Sequence, residues 1–277
     1  AYDRLLFRDA LKAAFYDLQS ARDAWRVACG GGGLHASLVR PYLDASTRAL
    51  APIAPHWADH MWRSVLGNAS TVLTAGWPET DAPDFVLRRA VGVLEETTGA
   101  LRAGVRKAEA PPKAKKGAPP GPAPPKVTGT TIYVSPAFGG WHAPVLAALA
   151  AHFDDGARAW APDAKAALAA ASAAAAEPFV AAGGAPGDKA LKQTVIPFAK
   201  VVMEEAVAGG AALLAPALPF DEAGLYRENA AALARSLGLP EGGVAVVVGD
   251  PPADAPGGGG GGAPLPGKPA LRFSSGG

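Results

Sequence analysis

The sequence predicts a mostly α protein, with an N-terminal antiparallel four-helix-type bundle at residues 1–107 and a small C-terminal α/β domain at residues 128–277. Three observations predict this. Between Phe7 and Trp25 apolar residues return at spacings of four and three, the period of one helix face. Residues 108–127 read AEAPPKAKKGAPPGPAPPKV, a tract of proline, lysine and alanine that cannot bury enough apolar surface to fold and is expected to be a disordered linker. Beyond it, short β-type runs are separated by alanine-rich stretches with high helix propensity.

The first helix is defined by the stripe Phe7, Leu11, Ala14, Leu18, Ala21 and Trp25. Arg8, Lys12, Gln19, Arg22 and Arg26 are expected on its opposite face. The glycines from Gly30 to Gly33 end it, because glycine weakens a helix and accepts left-handed backbone angles. Leu38, Tyr42, Leu43, Ala49, Leu50 and Ile53 indicate a second helix, whose regular part is expected after Pro41 because proline lacks the backbone donor. Pro55 suits the first turn of a third helix with Trp57, Met61, Trp62 and Val65 inward and Gly67 at its end. Phe85, Val86, Val93, Leu94, Leu101 and Val105 give a fourth helix of less regular pattern, and short connections between the four favour a bundle.

After the linker, Thr131–Val134 alternates like a strand, while Val145–Phe153, Asp163–Ala176, Lys189–Val207 and Glu222–Leu237 read as helices. Val244–Val248 and Leu271–Phe273 are the remaining strand candidates. The glycine-rich stretch 256–262 between them is expected to be a loop.

Composition narrows the function classes. Nearly half of the 277 residues are apolar, so a core can form, and 26 basic against 25 acidic side chains leave a net charge of +1. Any nucleic-acid footprint must be local. Cys29 is the only cysteine, which excludes an intrachain disulfide or a cysteine-rich zinc site and suits the cytoplasm. No apolar run is long enough to span a bilayer, so no membrane contact is expected. The chain opens on Ala1 inside a helical pattern, as a piece of a longer protein would.

The motifs yield no catalytic residue and no metal site. His56, Asp59 and His60 in HWADH approximate a helical zinc pattern, but no third ligand is marked and the surrounding Trp57, Met61 and Trp62 suit a packed helix. None of the glycine runs at Gly30–Gly33, Ala182–Lys189 or Gly257–Gly262 follows the phosphate-loop pattern. Arg8, Lys12, Arg22 and Arg26, with Tyr16 and Trp25 nearby, could track a nucleic-acid backbone. Asp9, Asp17 and Asp23 are interleaved among them, as on any solvated helix.

The segments FRDALKAAFYDLQSARDAWR at Phe7–Arg26, LHASLVRPYLDASTRALAPIAPHWADHMW at Leu34–Trp62 and GWP at Gly76–Pro78 resemble the anticodon-binding domain of archaeal and eukaryotic cytosolic leucyl-tRNA synthetases. Looser matches follow: TIYV at Thr131–Val134 with Trp141, PFDE at Pro219–Glu222, and Pro266-Gly267-Lys268-Pro269 are similar to the family's C-terminal extension. Pro41, the alanine-rich block at 164–176 and the hexaglycine run depart from the pattern.

The resemblance implies the C-terminal part of a class I ligase that attaches leucine to its tRNA using ATP and Mg2+. The ATP-binding signatures His-Ile-Gly-His and Lys-Met-Ser-Lys-Ser are absent from these residues, as is any candidate editing insertion. The implied partners are leucine tRNA, the catalytic domain of the synthetase and other synthetases; this stretch itself needs no cofactor. The resemblance turns Arg8, Lys12, Arg22 and Arg26 into candidate phosphate contacts and adds Arg40, which matches a basic position of the family's second helix. A competing reading is a protein-interaction module in which the bundle and the lysine-rich linker dock partner synthetases or regulators.

Overall fold

The structure, a computed structural model, describes residues 1–29, 33–79, 84–111, 124–185, 187–252 and 263–275. The expectations for most of the linker, for Gly30–Gly32 and for the hexaglycine loop fall outside the described residues. The chain divides into two units, Ala1–Ala82 and Pro83–Gly277.

The first unit is helical. α1 (Phe7–Leu11) and α2 (Leu18–Cys29) are joined by a π-helical segment, Lys12–Asp17, and followed by α3 (Ala36–Leu50). α4 (Pro55–His60) starts with Pro55 in its first turn and continues into a second π segment, Met61–Val65; a 3-10 turn covers Val72–Thr74. The core gathers Ala51, Ala58, Trp62, Leu66 and Val72, with Leu43 and Ala75 against it. Contrary to expectation, α3 runs through Pro41. The missing donor costs only one bond, to the Ser37 carbonyl in the first turn, and Ser37 is exposed to water.

The π segment also changes the first helix. A π turn inserts extra backbone per turn and rotates everything after it about the axis. Even ahead of that segment the expected stripe is not inward: Phe7 is 50% exposed, and the buried residue of α1 is its off-stripe neighbour Ala10, at 3%. Among the described side chains of α2 the half-buried ones are Leu18, Gln19, Arg22, Trp25 and Cys29, so Arg22 shares a face with Leu18 and Trp25 instead of opposing it.

The second unit contains a three-stranded sheet in the order β4-β1-β5. β1 (Val127–Val134) pairs in parallel with β4 (Val244–Val248), Ile132 opposite Val246, and antiparallel with β5 (Ala270–Ser275), Ile132 opposite Leu271. α5 (Phe85–Ala108), α9 (Glu222–Glu228) and α10 (Ala230–Leu237) share a core with the sheet through Val93, Leu101, Ile132, Ala223, Tyr226 and Leu233. The fourth helix of the sequence reading thus gives its buried stripe to the second unit. Gly104 is the point of closest approach, where a Cβ would run into the Phe273 ring.

A helical layer of α6 (His142–Ala151), α7 (Ala164–Ala181) and α8 (Asp188–Gly209) completes this unit. Ala167, Ala171, Ala175 and Phe179 fall four apart on the buried face of α7, so the alanine-rich block is a row of small residues against neighbouring helices. A hairpin of β2 (Phe153–Asp154) and β3 (Ala159–Trp160) stands where the helix was expected to continue to Phe153. The Phe153 and Trp160 rings meet at 4.8 Å across it.

Two motifs distant in sequence meet in this unit. Asp221 caps α9 by accepting from Gly224 N at 2.9 Å. Glu222 accepts from Gly267 N at 3.0 Å and from the Tyr226 hydroxyl at 3.2 Å, and that hydroxyl is 2.7 Å from Thr97 Oγ1 of α5. Burial raises the Glu222 carboxyl above its ordinary value, against the pull of these donors and of Arg89. The PFDE and Pro-Gly-Lys-Pro motifs therefore hold the 265–268 turn against α9 and α5.

Candidate nucleic-acid interface

The five candidate basic residues lie in the first unit, and each is held differently. Arg8, on α1, is exposed, and no ion pair holds it among the described residues. Lys12 opens the π segment, and its Nζ lies 2.7 Å from Asp17 Oδ2. That i, i+5 pairing is the one a π turn brings together, where an α-helix would have matched i, i+4. The pair is exposed, and such pairs are weakly held and exchange readily.

Arg22 donates to Asp23 from Nε and Nη2 at 3.0 and 2.9 Å. The Asp23 bond holds the guanidinium above its ordinary value, burial works against it, and Tyr42 of α3 adds to the rise. Arg26 faces water, with Asp23 3.9 Å away. Arg40 donates from Nη2 to the Leu66 carbonyl at 3.0 Å, just past the Met61–Val65 segment, where a cation complements the free carbonyls of a helix end.

The five therefore do not form a single unpaired strip. Arg8, Lys12 and Arg26 offer accessible charge, whereas Arg22 and Arg40 also serve the packing of the helices. A signal the sequence did not reveal is an aromatic cluster that includes Phe7 of α1. The ring of Tyr2 sits edge-on to Phe7 and to Trp77, with centroids 6.1 and 5.6 Å apart, and Trp77 is 59% exposed. The Tyr2 hydroxyl donates to the Ala49 carbonyl at 2.8 Å, which fixes the cluster on the end of α3. Exposed rings of this kind offer faces on which bases can stack.

Within HWADH, Ala58 is buried and Asp59 is half-buried, while His56, His60 and, contrary to expectation, Trp57 are exposed. Asp59 Oδ1 accepts from Thr71 Oγ1 at 2.7 Å and from Val72 N at 2.9 Å, anchoring the 3-10 turn. Those two bonds, the Thr71 one first, hold its carboxyl below the ordinary value. His60 Nδ1 is 3.3 Å from Ser64 Oγ. Arg48 lies 5.0 Å over the Trp62 ring and binds Asp44 at 2.9 Å and the Ala75 carbonyl at 3.3 Å. Among the described residues no group of three or more His, Cys, Asp or Glu side chains could hold a metal ion, and no helix is long and apolar enough to cross a membrane.

Residues 1–118 match the family described as the anticodon-binding domain of tRNA ligase. That defines the class. The relatives are more specific: the chain is 36% identical over 256 residues, 87% of its length, to a cytoplasmic leucine–tRNA ligase of Arabidopsis thaliana. It is 31% identical over 240 residues, 86% of its length, to a cytoplasmic leucine–tRNA ligase of Pongo abelii. A cytoplasmic leucine–tRNA ligase of Neurospora crassa matches at 39% over 102 residues, 36% of the chain and 9% of that protein. The chain belongs to the leucine–tRNA ligase family, and it spans 22% and 19% of the lengths of the first two relatives.

Proposed function

We propose that this chain is the tRNA-holding part of a cytoplasmic leucine–tRNA ligase. It binds leucine tRNA while a catalytic domain outside these residues activates leucine with ATP and Mg2+ and transfers it. The observation that carries this reading is the match of residues 1–118 to an anticodon-binding domain of tRNA ligase. The sequence fits such a division, because it holds neither ATP-binding signature of that enzyme class. No chemical step is assigned to these residues.

Within the site, Arg8, Lys12 and Arg26 are the proposed phosphate contacts. Lys12 and Arg26 exchange an exposed aspartate for a phosphate oxygen. Arg22 and Arg40 reach RNA only while keeping their interactions with Tyr42 of α3 and with the Leu66 carbonyl. Trp77 and Phe7 supply stacking faces for unpaired bases.

The test is a binding titration of the 277-residue chain against leucine tRNA and against a tRNA lacking a long variable arm, repeated over a range of salt. Tighter binding of leucine tRNA at physiological salt is expected. Equal binding confined to low salt would instead favour a unit that docks other synthetases or regulators.

A further inference from the structure

The second unit contains a cleft that tRNA binding by the first unit does not use. It has a volume of about 510 Å³ and lies between α5, α6, α8 and the segments at 213–219 and 265–268. Cavities of this size hold small organic ligands. Phe138, Trp141 and Phe198 form one wall, and Leu213, Leu218 and Pro266 face it. The aromatic wall is preformed, because Phe198 is edge-on to Phe138 at 5.6 Å and to Trp141 at 5.5 Å, while Trp141 stacks on His142 at 3.6 Å.

Few polar groups line this apolar space, and their charges can be followed one by one. Arg89 is tied to Glu205 at 3.1 Å. Burial lowers the basicity of His142, and the nearby Lys268 charge adds to the effect, so the ring is neutral near pH 7. Thr194 adds a neutral hydroxyl. Lys268 is exposed, lines the cleft and has no ion pair among the described residues. The backbone donors of the same turn are already engaged: Gly267 N bonds Glu222, and Leu265 N and Lys268 N bond each other's carbonyls. A phosphate dianion would want several free donors, which this turn lacks. One ammonium beside an apolar cavity suits a single negative charge.

We propose that this cleft binds a compact apolar monocarboxylate, with its hydrocarbon body against Trp141 and Phe198 and its carboxylate on the Lys268 ammonium. The walls supply the affinity through burial, and Lys268 fixes the orientation and selects for charge.

Isothermal titration of the full chain with 2-naphthoate, 2-naphthamide and AMP tests this. Naphthoate should bind about tenfold more tightly than the neutral amide, and AMP should not compete. Lys268→Met should erase that preference while leaving amide binding in place. Val201→Trp, at a wall position 56% exposed and so tolerant of the change, should abolish binding of both, with circular dichroism confirming the fold. Equal binding of naphthoate and amide, no binding of either, or a preference surviving Lys268→Met overturns the proposal. Preferential AMP binding overturns it too and assigns the cleft to a nucleotide.

Discussion

Replacing Tyr226 by phenylalanine removes one oxygen from the best-buried polar cluster of the second unit. That hydroxyl is 2.7 Å from Thr97 Oγ1 and donates to Glu222 Oε1 at 3.2 Å, and the Tyr226 side chain is fully buried. A neutral hydrogen bond contributes about 1 kcal/mol and one to a charged group about 1.5–3 kcal/mol. With the Glu222 bond at the long end of the range, a loss of about 2–3 kcal/mol follows. The pH dependence gives a sharper check. Glu222 is raised by burial, so its contribution is full below the unfolded-state value of about 4.3 and is lost as pH rises through the folded value. The Tyr226 hydroxyl opposes that rise by favouring the carboxylate, and burial holds the phenol itself well above its ordinary value, so it stays a donor. Without it, ionising Glu222 costs more. The penalty measured by urea unfolding with circular dichroism should therefore be larger at about pH 8 than at about pH 4.5. A penalty under about 0.5 kcal/mol, or one that shrinks as pH rises, would refute the reasoning.

Other substitutions probe different links. Gly104→Val pushes a branched side chain into the Phe273 ring and should destabilise by about 1–3 kcal/mol, whereas Gly99→Ala, on the exposed side of the same helix with nothing nearby, should stabilise by about 0.5–1 kcal/mol in thermal melts. Asp59 has a lowered value, so its contribution is present above the unfolded-state value and is lost as pH falls through the folded one. Asp59→Asn should flatten the acid limb of the melting profile, and an unchanged limb counts against the Thr71 and Val72 anchor. Arg26→Glu should weaken leucine tRNA binding and reduce the salt slope by about one, while Arg40→Glu should also lower the melting temperature because it releases the Leu66 carbonyl. Equal melting temperatures for the two variants would remove the packing role given to Arg40.

What the sequence reveals about this fold depends on whether a helix's partner is apolar and regular. β4 is found at Val244–Val248, the bounds its apolar run suggests. α5 shows the opposite case. Its buried residues are Ala90, Val93, Thr97 and Leu101, a regular stripe with spacings of three and four. The pattern looked irregular because one member is a threonine, whose burial makes sense only once Tyr226, far along the chain, supplies the hydrogen bond. The Lys12–Asp17 pair was hidden for a related reason: no propensity marks a π segment, yet that segment decides which charges meet. The candidate site follows the same logic. Residue types proposed arginines as RNA contacts, but Asp23, Leu66 and the packing of α2 decide which are accessible, and these are matters of helix rotation. The aromatic cluster was beyond sequence reading because Tyr2, Phe7 and Trp77 become neighbours only when the Gly76 turn, at φ 73°, brings the end of the unit back to its beginning. A helical anticodon-binding domain can thus be recognised as a family from its residues, while the accessibility of its basic side chains is set by backbone geometry.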